Sequence, residues 1–133
     1  MSMSNTTEND TLKMQLVGTD PSWRAGANLY LALFTTDPTE SGVFTNEATY
    51  TSYARVTMAK ATSWTDGGST FTNANLVQFP QCTGGTNTIT HFAICTLSTA
   101  GQILQSGALS SPLAISNGIQ PQFSIGSISI SLD

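Results

Sequence analysis

From Gly67 to Leu132 the chain contains no Asp, Glu, Lys or Arg. Half of a 133-residue protein therefore has no fixed charge, yet it is dense in Leu, Ile, Val and Phe. Disordered segments lack such residues, so this half folds. Its polar residues are hydroxyls and amides. The chain carries 16 Ser and 21 Thr, and Thr suits a pleated surface. The feature points to β structure with a neutral, hydrogen-bonding surface. Charged residues are 9% of the whole, against about 25% in typical soluble domains. Because charge is depleted at interface cores, much of that surface is expected to face other protein.

Apolar alternation places the strands. Leu29, Leu31 and Leu33 alternate with Tyr30, Ala32 and Phe34, so both faces of this strand are apolar and both need cover. Tyr53–Ala59 alternates, with Ala54, Val56 and Met58 against Tyr53, Arg55 and Thr57. Leu76–Phe79 is short and ends at Pro80. In residues 88–97, Ile89, His91, Ala93, Cys95 and Leu97 share one face, with Thr90, Phe92, Ile94 and Thr96 on the other. A hairpin turn at 98–102 leads to a returning strand over 102–109, and a shorter strand follows at 112–115. Gly84-Gly85 reads as a hairpin turn and not a phosphate loop, since no Lys and no helix follow. In residues 123–132 the alternation slips by one at Gly126-Ser127. Either a β-bulge restores the register or the strand crosses between sheets.

Residues 1–10 read as a polar N-terminal arm. Leu12 and Leu16, four apart, predict a short helix over Thr11–Val17, capped by Asp10 or Thr11 and ended by Gly18 and Pro21. Residues 11–133 form one domain. The fold expected is all-β, a jelly-roll-like β-sandwich of about eight strands with a short N-terminal helix.

Several functions are disfavoured. Four basic residues and a net charge of −4 cannot neutralise a phosphate backbone, so no nucleic acid partner is expected. No apolar run reaches about 18 residues, so no membrane partner is expected either. The first ten residues lack the basic and apolar regions of a signal peptide. Synthesis in the cytoplasm then favours free thiols at Cys82 and Cys95. With His91 they fall short of a zinc site, and Asp37, Glu40 and Glu47 match no calcium loop. His91, on an apolar strand face with no carboxylate nearby in sequence, reads as a satisfied core or interface residue. Neither a metal nor another cofactor is expected, and the chain is not expected to be an enzyme.

Trp23, Phe44, Tyr50 and Tyr53 fall in or beside loops, where aromatic residues favour protein contact. Arg24 and Arg55 are scarce charges that each call for a carboxylate or a partner subunit. These six are the candidate interface residues.

Residues 29–42 (LYLALFTTDPTESG), Glu47, YARV at 53–56, NANLVQFP at 73–80, TITHFAI at 88–94, GQILQSGAL at 101–109, SNG at 116–118 and FSIGSISISLD at 123–133 occur in an order and spacing that resembles a family of small bacteriophage virion proteins. Its members are often labelled tail fibre proteins, and similar small β-sandwiches decorate phage heads. One departure is Cys95-Thr96, where the family often has Asp-Ala. The resemblance implies a structural role without catalysis and leaves head and tail open. The first expectation is a capsid decoration (cement) protein on the capsid exterior, made in the host cytoplasm. It would bind the major capsid protein as a homo-oligomer, dimer or trimer. The N-terminal arm would order on the shell. A tail or tail-fibre component is the alternative, and a carbohydrate-binding adhesin module using loop aromatics is a third.

Overall fold

Two apolar alternations in one strand demand cover on both faces, and that demand organises the molecule. A computed structural model describes residues 1–132. In chain order the elements are β1 (Ser2–Met3), α1 (Asn5–Leu16), α2 (Ser22–Ala25), β2 (Asn28–Phe34), β3 (Val56–Ala59), β4 (Trp64–Asp66), β5 (Thr70–Asn73), β6 (Val77–Gln78), β7 (Asn87–Cys95), β8 (Ile103–Ile115), β9 (Gln122–Phe123) and β10 (Ser129–Ser131). The main sheet has the order β1-β8-β7-β2-β3, a second has β10-β5-β4, and β6 pairs with β9. All pairings are antiparallel. The fold is all-β and sandwich-like. Its strands divide five, three and two.

One face of the main sheet presents Leu31, Leu33, Phe92, Ile94 and Leu104 to the principal core. The small sheets close that core with Val77, Ile128, Trp64, Phe123 and Ile130. On the other face, Ala32, Phe34, Ala93, Cys95 and Ile103 form a second cluster with Tyr30 and Phe44. Both faces of β2 are thus buried, as its sequence requires.

The N-terminal segment departs from the expected arm. Ser2 and Met3 pair with Ser106 and Gln105 at the edge of β8. Ser4, not Asp10 or Thr11, caps the helix: its Oγ accepts the Thr7 N–H and donates to the Ile103 carbonyl at 2.6 Å. The Thr7 hydroxyl reaches the same carbonyl. The helix therefore begins six residues before Thr11 and docks through buried hydroxyls. Leu12 and Leu16, whose spacing predicts the helix, are 54% and 79% exposed. Apolar spacing located the helix but not the side that is buried.

Two departures come from strand irregularities. Between Ile89 and His91 the pairing of β7 jumps from Leu113 to Ala108 on β8. This shift carries Ile89 into the principal core with Phe92 and Ile94, while Ala93 and Cys95 enter the second cluster. Simple alternation groups Ile89 with His91, Ala93 and Cys95 instead. The Thr90 hydroxyl holds the irregularity by donating to the Thr35 carbonyl at 2.9 Å. The two strands expected at 102–109 and 112–115 are one element, β8, with residues 109–112 spanning the break. Gly84 bridges to Thr51 instead of turning a hairpin.

At Gly126 the alternative of a sheet crossing holds. Gly126 adopts φ +78°, a conformation that costs glycine little. Ser127 N–H donates to the Ser124 carbonyl at 3.0 Å. The chain leaves the β6/β9 ladder there and joins the three-stranded sheet as β10.

Candidate functional site

The six candidate residues fall into two groups. Trp23 and Arg24 lie on α2. Trp23 is half-buried against the core, and its indole N–H donates to the Asp10 carboxylate at 3.0 Å. Arg24 is exposed and pairs with Asp20. Lys60 donates to the Trp23 and Arg24 carbonyls, fixing the short helix to the end of β3.

The other four gather around Glu47. Arg55 Nε donates to Glu47 Oε1 at 2.7 Å and a second guanidinium nitrogen donates to Oε2 at 2.8 Å. Its remaining nitrogen donates to the Leu97 and Ala100 carbonyls at 2.7 and 2.8 Å. The side chain is 3% exposed and that of Glu47 17%. A bidentate guanidinium–carboxylate pair matches both shape and charge. The guanidinium lies over Phe44, 4.8 Å from the ring centroid. Tyr53 donates from its hydroxyl to Glu47 Oε1 at 2.8 Å and accepts the Leu33 N–H at 3.2 Å. Tyr53 also stacks on Phe79. Tyr50 is buried, meets Tyr53 edge-on and donates to the Pro80 carbonyl.

This constellation braces the irregular 43–55 loop, β2 and the tip of the β7–β8 hairpin against one another. The carboxylate that Arg55 calls for in the sequence is Glu47, and that of Arg24 is Asp20. Tyr50, and the Tyr53 and Arg55 groups in this network, are buried and engaged within the fold. Phe44 is half-buried beneath the guanidinium. Of the six, Arg24 alone is exposed.

Electrostatics agree. Burial, opposed by the Leu33 N–H and reinforced by Glu47, pushes the Tyr53 phenol well above its usual range. Burial works against the Arg55 charge, but the hydrogen bond to Glu47, together with Cys95, the Glu47 charge and Tyr53, more than offsets it, so the guanidinium is held above its ordinary value. Tyr53 is thus a neutral donor and Arg55 a fixed cation. Neither is arranged to exchange a proton near neutrality. His91 Nδ1 contacts the Thr90 hydroxyl at 2.8 Å. That hydroxyl has one proton, spent on Thr35, so it accepts from Nδ1–H. Cys82 and Cys95 are buried free thiols. Among the described residues no three His, Cys, Asp or Glu side chains group as metal ligands, and no helix is long and apolar enough to cross a membrane.

One concavity has no counterpart in the sequence pattern. A groove of about 580 Å³ opens between the main sheet and the three-stranded sheet, with Leu29, Trp64, Phe71, Ile94, Leu104 and Ile130 in its lining. These residues come from six different strands, so no local motif could have announced them. Leu76, Leu97, Ile119 and Ile125 are also exposed on the uncharged half.

No curated protein gives a significant match to the chain. A family model does, and it covers residues 2–131. It spans both ends of the fold, from the β1 pairing to the sheet crossing at Gly126. The chain belongs to the family described as podophage GP4 fiber I protein gp80, a family of small phage virion structural proteins.

Proposed function

We propose that the protein is a non-catalytic structural subunit of a podophage fibre, assembling with further copies of itself, as a dimer or trimer, and with a neighbouring virion protein. The observation that carries this reading is the family description, which names a fibre protein and extends over nearly the whole chain. The chemistry is compatible. Glu47, Tyr53 and Arg55 are committed to one another and to backbone carbonyls. The surface built from residues 67–132 has no fixed charge. Such a surface buries no unpaired ion in a contact, which would be costly, and its hydroxyls and amides can be paired one by one.

Head decoration, with the major capsid protein as partner on the capsid exterior, is the competing assignment. One of its supports, a free N-terminal arm that orders on the shell, is weakened by the docking of Ser2–Leu16 on β8. The adhesin reading relied on loop aromatics, and Tyr50 and Tyr53 are engaged inside the fold.

Copy number per particle separates these assignments. Quantitative mass spectrometry of purified virions should give a few to tens of copies for a fibre subunit. A ratio to the major capsid protein near one, or near a simple fraction of one, would move the protein to the head. Complete absence from virions would remove both.

A further inference from the structure

Three independent features meet at one place on the surface. The first is the groove, whose wall includes Leu104 of β8 and Ile130 of β10. The second is a strand edge. β10 is the outer strand of its sheet, and its sequence, Ser129–Ser131 between Ile128 and Leu132, contains no charge and no proline. Exposed edges are normally blunted by charge, proline, bulges or brevity. The two-residue edge β1 relies on brevity, and three other edges carry further protection. β3 is flanked by Arg55 and Lys60, β4 ends in Asp66, and the far part of β8 carries Pro112 and the break in pairing. Beside the groove, β10 has its shortness but no charge or proline from Ile128 to Leu132, the nearest charge in sequence being Asp133, and Leu132 and Phe71 next to it are 58% and 40% exposed.

The third feature is an orphan. Gln105 Oε1, in the groove wall, is buried without a hydrogen-bond partner, alone in this among side-chain atoms of the described residues. Such an atom costs about 1–3 kcal/mol and calls for an explanation. Among the described residues the groove also has no free countercharge. Its one ion, Lys60, already donates to the Trp23 and Arg24 carbonyls.

We propose that the free edge of β10 and the adjoining groove accept one extended, uncharged strand with apolar residues at alternate positions, contributed by a neighbouring polypeptide. Main-chain hydrogen bonds to β10 would supply affinity, and alternate side chains would enter the groove. The Gln105 side chain, only half-buried as a whole, would turn Oε1 toward a backbone N–H or a hydroxyl of the incoming strand. About five residues, roughly 17 Å of strand, suffice. A charged strand would lose its hydration with nothing to replace it. The proposal goes beyond the fibre assignment and is independent of it.

A blocked heptapeptide with the sequence of residues 126–132 serves as the probe. Titrated into the full chain, it should slow hydrogen exchange of the outward amides in Ser129–Leu132. It should also shift Trp64 emission saturably, read in a Trp23→Phe background. The same peptide with its serines replaced by glutamate should bind at least about tenfold more weakly. Leu132→Lys should weaken binding by a similar factor with an unchanged thermal midpoint, and Phe71→Lys provides a second rim variant should the first fail to fold. Unchanged exchange at β10, equal binding of the glutamate peptide, or full binding to a folded rim variant would each overturn the proposal.

Discussion

Asn73 Oδ1 accepts the backbone N–H of Ile128 at 2.9 Å. The same side chain donates from Nδ2 to the Asn75 and Ser124 carbonyls at 2.8 and 3.0 Å. Asn73 is fully buried, so one amide supplies partners to three backbone groups where the chain changes sheets. Without it the crossing at Gly126 would leave backbone polar groups orphaned in the core.

Asn73→Ala should therefore destabilise the protein by about 2–4 kcal/mol, since each buried group left unpaired costs about 1–3 kcal/mol. Asn73→Asp should also be harmful, because it removes the donor to two carbonyls and buries a charge. Urea unfolding of both variants checks this. A loss below about 1 kcal/mol for Asn73→Ala would mean that water replaces the side chain.

Glu47 and Arg55 make a second test. Removing one partner of a buried ion pair costs about 3–5 kcal/mol, because the other is left uncompensated. Glu47→Ala and Arg55→Ala should each approach that cost. The double variant should be much less damaging than their sum, as expected for residues in contact. Arg55→Lys should not rescue the fold, since one ammonium cannot bridge the carboxylate and both the Leu97 and Ala100 carbonyls. Denaturation curves for the four proteins give the coupling energy directly.

Ser4→Ala should cost about 1–2 kcal/mol, the usual range for a lost N-cap, because its hydroxyl also serves the Ile103 carbonyl. Deleting Met1 to Asp10 should do more: it uncovers Ile103 and removes the strand paired with Gln105 and Ser106. The thermal midpoint of the truncated chain should fall by several degrees or more. An unchanged midpoint would show that the N-terminal segment is dispensable to the fold.

Some of this was legible in the sequence because it rests on local apolar pattern. Two-sided burial of β2 follows from its double alternation, and the crossing at Gly126 appears as a slip of one residue. Other features rest on polar groups whose partners are distant in sequence. Ser4 and Thr7 meet Ile103 about a hundred residues away, so nothing local marks them as a docking surface. Thr90 displaces Ile89 to the principal core through a bond to Thr35. Tyr50 and Tyr53 looked like free loop aromatics because their acceptors, Pro80 and Glu47, lie on separate segments or across an irregular loop. Family membership was legible, since strand and turn motifs keep their order even when each is weak alone.

Alkaline pH should unfold the protein, and the sign follows from three buried acids. Burial pushes the Cys95 thiol from its ordinary value of 9.0 up to about 12. Burial, with the nearby Cys82, pushes the Tyr50 phenol from 10.0 to about 12, and Tyr53 is raised as well. These groups keep their protons in the folded chain at pH values where the unfolded chain has lost them. The unfolded state then binds fewer protons, so stability falls as pH rises. The loss should begin near pH 9, steepen above 10 and continue to about 12. Thermal midpoints across that range should decline, and phenolate absorbance, read in a Tyr30→Phe background so that only Tyr50 and Tyr53 report, should appear together with loss of the β-sheet signal. Tyr50→Phe should flatten part of the decline, and a phenolate signal that grows while the sheet signal stays constant would contradict the burial of these side chains.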